Sequence, residues 1–214
     1  MRAGRSGSSS CAPSNTRCAA TARSGPDSVP RPRIGLLGGS FNPAHRGHRR
    51  LSLDALARLG LDRVWWLVSP QNVLKPEAGM APFAHRLQGA RALAAHRRIR
   101  VSDFETRAGT RYTVDTLAAL ARACPGRDFV FLAGADILAQ LPRWRRWREL
   151  ARNARLVFWN RPGHSHRALR GQAATALRRK RRRDRLARRL KPGEWCLMWS
   201  LAMPVSGTAI RQGL

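Results

Sequence analysis

Apolar positions along the chain follow two different periods. Short continuous apolar runs, RIGLLGG at 33–39, RVWWLVSP at 63–70, IRVSDFE at 99–105 and DFVFLAG at 128–134, predict buried strands. ARLVFWNRPG at 154–163 predicts another strand that ends in a turn. Between these runs, HRRLSLDALARLG (48–60), FAHRLQGARALAAH (83–96) and TVDTLAALARAC (113–124) space their apolar residues as amphipathic helices do, and ADILAQL at 135–141 opens a shorter helix. Gly60 closes the first helix, and QNVLKPEAGMAP at 71–82 is a loop. Strands and helices taking turns predict an α/β fold, a doubly wound parallel sheet with helices on both faces.

Length and composition narrow this picture. The 214 residues suffice for one α/β domain with a real core. FVFLAGADILAQL and CLMWSLAMPV are too short to cross a bilayer, so no membrane partner is expected. Residues 1–31 are rich in Ser, Gly, Ala and Arg, cannot bury a core, and are expected to be a disordered N-terminal extension, leaving 32–214 as the folded domain. Cys11, Cys18, Cys124 and Cys196 contain no CxxC pair, which suggests a reducing, cytoplasmic location.

Charge is the most unusual feature. Lys and Arg total 41 against 12 acidic residues, a net charge of +29. Such an excess attracts polyanions or decorates a solvent-facing surface, and for most of the arginines the second reading is preferred. The tract 177–193, LRRKRRRDRLARRLKPG, has a thin apolar stripe and reads as a solvated helix. It lacks the interleaved aromatics of single-strand binders, so nucleic acid is not an expected partner.

Candidate chemistry gathers in IGLLGGSFNPAHRGH, residues 34–48. Gly38 and Gly39 end a strand and let a ligand approach the backbone. Asn42 and Pro43 read as an N-cap and first helical position. His45 and His48 then lie three apart on one face of the opening turn, beside free N–H groups at the positive end of the helix. Together these make a pocket for phosphate oxygens at the carboxyl edge of a parallel sheet. The GxGxxG and GxxxxGK[ST] fingerprints are absent. A metal on the HxxH pair lacks an evident third ligand, so no metal ligands are assigned; two histidines that merely pack are the remaining alternative.

GGSFNPAHRGH closely resembles the GSFxPxHxGH signature of the HxGH nucleotidyltransferases, whose fold is Rossmann-like. Within that superfamily VSPQNVLKP, RYTVDTL, FLAGADILAQLPRWRRW, LVFWNRPG and the terminal VSGTAIR are most similar to the bacterial nicotinate-nucleotide adenylyltransferases. The terminal motif departs from the usual ISSTxIR at Val205 and Gly207 but keeps Ser206, Thr208 and Arg211.

The resemblance implies transfer of AMP from ATP to nicotinate mononucleotide, with Mg2+ carried on the ATP phosphates. It implies catalytic roles for His45, His48 and Arg211. Gly38, Gly39, Ser40, Phe41, Asp136, Ser206 and Thr208 would bind ATP. Lys75, Tyr112, Thr113, Trp144 and Arg145 would bind the mononucleotide, with Trp144 stacking on the pyridine ring and Arg145 facing its carboxylate. From the residues alone, Asp136 reads equally as a helix cap, Lys75 as a surface lysine and Trp147 as core. Two rivals stay open: a related enzyme such as phosphopantetheine adenylyltransferase, and an Arg-rich RNA-binding protein on an inactive nucleotidyltransferase fold.

Overall fold

A computed structural model of the chain describes residues 31–71, 78–200 and 210. The N-terminal 30 residues lie outside this range, and with them the expectation of a disordered extension. The described strands are β1 (Arg33–Gly39), β2 (Arg63–Val68), β3 (Ile99–Ser102), β4 (Asp128–Gly134), β5 (Arg155–Trp159), β6 (Arg181–Arg182) and β7 (Trp195–Met198). They form one sheet in the order β3-β2-β1-β4-β5-β7-β6, every pair parallel. The helices are α1 (Arg46–Arg58), α2 (Phe83–Ala94), α3 (Phe104–Arg107), α4 (Thr113–Ala123), α5 (Ala135–Gln140), α6 (Trp147–Asn153), α7 (Ser165–Leu169) and α8 (Gln172–Ala176).

Strand periodicity splits the core cleanly between the two faces. In β4, Phe131 and Ala133 join one cluster while Val130 and Leu132 join the other. β5 divides Leu156 and Phe158 from Val157 and Trp159, and β7 divides Trp195 and Leu197 from Cys196 and Met198. Residues of α4 to α8 cover the first face; residues of α1 and α2 cover the second. Two-sided burial is why these strands read as continuous apolar runs rather than alternating ones.

Charged side chains tie the amino ends of the central strands. Asp128, at the start of β4, accepts from Arg33 Nε of β1 (3.3 Å) and Arg155 Nη1 of β5 (2.5 Å). Arg33 also donates to the Leu59 carbonyl at 2.8 Å, holding the end of α1 beneath the sheet. The candidate site lies at the opposite, carboxyl edge.

Three expectations are corrected. The run 99–105 is strand only to Ser102; Phe104–Arg107 turns into a helix, with the Arg107 Nε bound to Asp103 Oδ1 at 2.9 Å. The basic tract is not one solvated helix. It consists of 3-10 turns at 178–180 and 184–189 around β6, because Arg181 and Arg182 pair with β7 while Ala187 and Leu190 are buried in the core. Thirdly, β7 is a strand beyond those expected: Cys196, Leu197 and Met198 open the run CLMWSLAMPV, weighed only for its length against a bilayer, and Trp195 precedes it. Cys124 and Cys196 are buried and in no disulfide.

Gly35 in β1 faces a space already filled: a Cβ there would lie 2.7 Å from both Leu132 Cδ1 and Leu61 Cδ1. Gly35→Val should therefore destabilise the fold by about 1–3 kcal/mol through overpacking. Urea denaturation followed by far-UV circular dichroism measures it; an unchanged midpoint would contradict the packing described.

Candidate active site

The strand order runs one way through β1, β2 and β3 and the other through β4, β5 and β7, so the chain reverses between β1 and β4. In open parallel sheets the crevice at that switch, beyond the carboxyl ends of the strands, is where ligands bind. Gly38 and Gly39 end β1 at this point. A Cβ would sit 3.8 Å from Phe131 Cε2 at Gly38 and 3.5 Å from Phe41 Cε2 at Gly39, ordinary contact distances. Packing within the chain does not demand glycine at either place.

The turn that follows is over-determined by aromatic packing. Phe41 adopts φ 48°, a left-handed conformation costly for a bulky residue, and is 2% exposed. Its ring stacks on Trp66 with centroids 5.1 Å apart and meets the His48 ring at 4.7 Å. Trp66 Nε1 donates to Ser52 Oγ (2.7 Å), which donates in turn to the His48 carbonyl (2.8 Å). The first turn of α1 is thus bolted to β2.

Asn42 and Pro43, predicted to start the helix, do not. The Asn42–Pro43 peptide is cis and lies in the turn, while α1 begins at Arg46 with His45 as N-cap. Asn42 instead donates from Nδ2 to the Gly79 carbonyl (2.8 Å) and accepts from the Ala81 N–H (3.3 Å), pinning the loop before α2. The two histidines do come together: their ring centroids are 3.8 Å apart, and His48 Nδ1 accepts from the His45 backbone N–H at 3.2 Å. That bond orients the His48 ring and leaves Nε2 as its second nitrogen.

Burial lowers the His45 pKa to about 4, and the nearby Arg161 charge adds to the effect. At neutral pH His45 therefore presents a neutral imidazole. Its Nδ1 is buried with no hydrogen-bond partner among the described residues, as is Ser40 Oγ.

Across the switch, Asp136 sits in the first turn of α5, directly after β4. The cap reading fails, because Gly134 is the N-cap and the Asp136 side chain caps nothing. Its Oδ2 accepts from Arg161 Nη1 at 2.9 Å, while Oδ1 is buried and unpartnered. A Cβ on Gly134 would collide with that oxygen. Arg161 is a residue that sequence reasoning missed, since RPG was read only as a turn; its signal is a charge just past the carboxyl end of a parallel strand. Four buried side-chain polar atoms lack a partner among the described residues, and three of them, Ser40 Oγ, His45 Nδ1 and Asp136 Oδ1, belong to this crevice. Buried polar groups in a folded protein are nearly always satisfied, so an unsatisfied cluster marks a place built for something else.

The residues expected to hold the second substrate form a neighbouring group. Phe131, which flanks Gly38, meets Trp144 edge-on at 6.0 Å between centroids. Arg145 lies over the Tyr112 ring at 4.8 Å. Tyr112 is the N-cap of α4 and Thr113 its first residue. Arg146 is committed to Asp115 and Glu149, which leaves Arg145 as the cation beside Tyr112. Trp147 is buried in the core, as its alternative reading held. Behind α4, the buried Glu105 carboxylate accepts from Ser69 Oγ (2.5 Å) and Thr116 Oγ1 (3.3 Å), and burial raises its pKa.

Lys75, Ser206, Thr208 and Arg211 lie outside the described residues. Among the described residues no three His, Cys, Asp or Glu side chains cluster to hold a metal. Asp136 Oδ1, buried and without a partner among the described residues, would fit as a hydrogen-bond acceptor for water around a Mg2+ carried on substrate phosphates. No described helix is long and apolar enough to cross a membrane.

The unfolded chain protonates His45 near 6.5 and the folded chain only near 4. Between these values the unfolded state holds the extra proton, so the folded state loses stability as pH falls from about 6.5 to about 4. His45→Asn removes that penalty. The Tm of the native chain minus that of the variant should shrink between pH 7 and pH 4.5 in thermal melts; a constant difference would refute the buried neutral imidazole.

The cytidylyltransferase-like family model matches residues 36–213. A probable nicotinate-nucleotide adenylyltransferase of Parvibaculum lavamentivorans is 56% identical over 150 residues, covering 70% of this chain and 75% of the relative. A protein of the same name from Gluconobacter oxydans is 50% identical over 184 residues, covering 84% and 94%. In structure, the Plasmodium falciparum nicotinic acid mononucleotide adenylyltransferase complexed with NaAD superposes with a TM-score of 0.65 over 85% of this chain and 83% of that one. At 16% identity that likeness speaks for the fold, the Rossmann-like parallel sheet expected from the sequence. The chain belongs to the cytidylyltransferase-like family, and its relatives within it are the bacterial nicotinate-nucleotide adenylyltransferases.

Proposed function

We propose that residues 32–214 form a cytoplasmic adenylyltransferase domain that moves AMP from ATP to nicotinate mononucleotide. A phosphate oxygen of the mononucleotide attacks the α-phosphorus, the bond from that phosphorus to the bridging oxygen of the β-phosphate breaks, and pyrophosphate leaves with deamido-NAD as product. The observation that carries this reading is the trio of unsatisfied buried atoms, Ser40 Oγ, His45 Nδ1 and Asp136 Oδ1, at the strand-order switch.

The attacking phosphate is already ionised at pH 7, so the reaction needs no general base. A histidine held neutral down to about pH 4 suits it, because it offers a hydrogen bond without a proton to exchange. His45 and His48 would donate to phosphate oxygens around the reacting centre, and the turn Gly38-Gly39-Ser40-Phe41 would bring backbone N–H groups against the triphosphate. Asp136, held by Arg161, would take a hydrogen bond on the nucleotide side. By sequence, Arg211 would clamp the β- and γ-phosphates with Ser206 and Thr208 beside it, and Lys75 would meet the mononucleotide phosphate. Mg2+ on the ATP phosphates would neutralise charge on the departing pyrophosphate.

Trp144 offers a ring face for the pyridine, and Arg145 offers a guanidinium for its carboxylate, with Tyr112 and Thr113 contributing through the start of α4. A neutral nicotinamide would gain nothing from that charge.

Pyrophosphate release, assayed with ATP and Mg2+ against nicotinate mononucleotide, nicotinamide mononucleotide and phosphopantetheine in parallel, tests the function. The acid mononucleotide should turn over at least about tenfold better than the amide, a charge-paired hydrogen bond being the difference. Turnover with phosphopantetheine alone would overturn the reading. Trp144→Ala should raise KM for the mononucleotide by about tenfold or more, the loss of one stacking face, with KM for ATP nearly unchanged. An effect confined to ATP would remove Trp144 from the pyridine site.

A further inference from the structure

Arg86, in the first turn of α2, is 4% exposed, and among the described residues its guanidinium hydrogen-bonds to backbone carbonyls. Nε donates to Ala81 O (2.9 Å), Nη1 to Ser40 O (2.6 Å) and Ser69 O (2.8 Å), and Nη2 to Pro70 O (2.8 Å). No carboxylate among the described residues pairs with it, and its guanidinium carbon lies over the Phe83 ring, 5.5 Å from the centroid. A buried ion without a counter-ion is costly, and an apolar side chain of the same length would fill the space more cheaply. Its burial in that position calls for a reason other than packing.

The four carbonyls supply one. Ser40 belongs to the phosphate-facing turn after β1. Ser69 and Pro70 open the loop after β2, and Ala81 closes it, so the fork draws both ends of the loop to one point and fastens that point to the turn. Ser69 reinforces the junction, donating its N–H to the Gly39 carbonyl at 3.0 Å and its Oγ to Glu105. Ala81 is also held by Asn42. A planar guanidinium has five N–H donors in a rigid fork, which no other side chain provides. The same fork places its positive charge directly behind Ser40.

We propose that Arg86 is a positioning residue: it fixes the Ser40 turn, which receives ATP, against Ser69, Pro70 and Ala81, and thereby sets the alignment of the two reacting phosphates. The proposal rests on the adenylyltransferase reading for what is aligned, though not for the clamp itself. Because a displacement of about 1 Å between reactants costs on the order of a hundredfold in rate, the loss should fall on kcat rather than on either KM.

The test uses the full chain with Arg86→Met and Arg86→Lys. Arg86→Met should lower kcat about a hundredfold while KM for ATP and for nicotinate mononucleotide each change less than about threefold, and added methylguanidinium should restore at least about tenfold of the lost rate. Arg86→Lys keeps the charge but not the fork, and should resemble Arg86→Met; it carries the test if Arg86→Met does not fold. Hydrogen exchange reads the clamp without reference to activity: amides at 39–41 and 79–81 should exchange at least about tenfold faster in either variant, those of β5 unchanged. A folded variant with kcat within about threefold of the native chain, or with both segments as protected as before, overturns the proposal. So does a rate loss that methylguanidinium leaves untouched and that both KM values share. If the native chain makes no deamido-NAD, the proposed function falls, and the exchange result alone decides the role of Arg86.

Discussion

A parallel sheet whose strand order reverses between β1 and β4 leaves an open crevice at the carboxyl ends of those two strands, and the rest of the site follows from that opening. Every strand contributes its carboxyl end to the same edge, so the glycine turn, the start of α1, the start of α4 and the first turn of α5 all converge there. At the other edge Asp128 neutralises Arg33 and Arg155. The polar groups that the fold itself leaves unsatisfied collect at the crevice instead.

The chain achieves this with few acids. Of its 12 carboxylates, several of the described ones anchor structure: Asp128 at the amino edge, Glu105 beneath α4, and Asp54 between Trp159 Nε1 and Arg58. Asp136 alone among these faces the switch point with a free oxygen. Burial, and after it the charge of Arg161, keeps the His45 ring neutral at the same place. Arg86 then stands out as a cation placed to hold backbone rather than ligand, joining loops that the sheet brings near each other but does not itself fasten.

The sequence by itself determined the strand and helix alternation, the parallel two-sided sheet and the turn of glycines and histidines after β1. These are local properties: apolar runs fill a sheet buried on both faces, helical spacing fills its cover, and two glycines followed by paired histidines mark a turn that packing does not require. Trp147 is buried, as its core-packing reading held, on a helix that the sequence reading did not include.

What the sequence could not convey were pairings between distant segments. Asn42 looks like a helix cap because its neighbours suit one, yet its side chain is taken by Gly79 and Ala81, which only the fold brings to it. Asp136 looks like a cap until Arg161, 25 residues on, claims its carboxylate. The basic tract reads as a solvated helix because its period is helical and its charge dense; β7 offers Arg181 and Arg182 an edge to pair with, and that long-range hydrogen bonding overrides the local preference. The four carbonyls gathered by Arg86 carry no side-chain signature at all, so nothing short of the tertiary structure could disclose them.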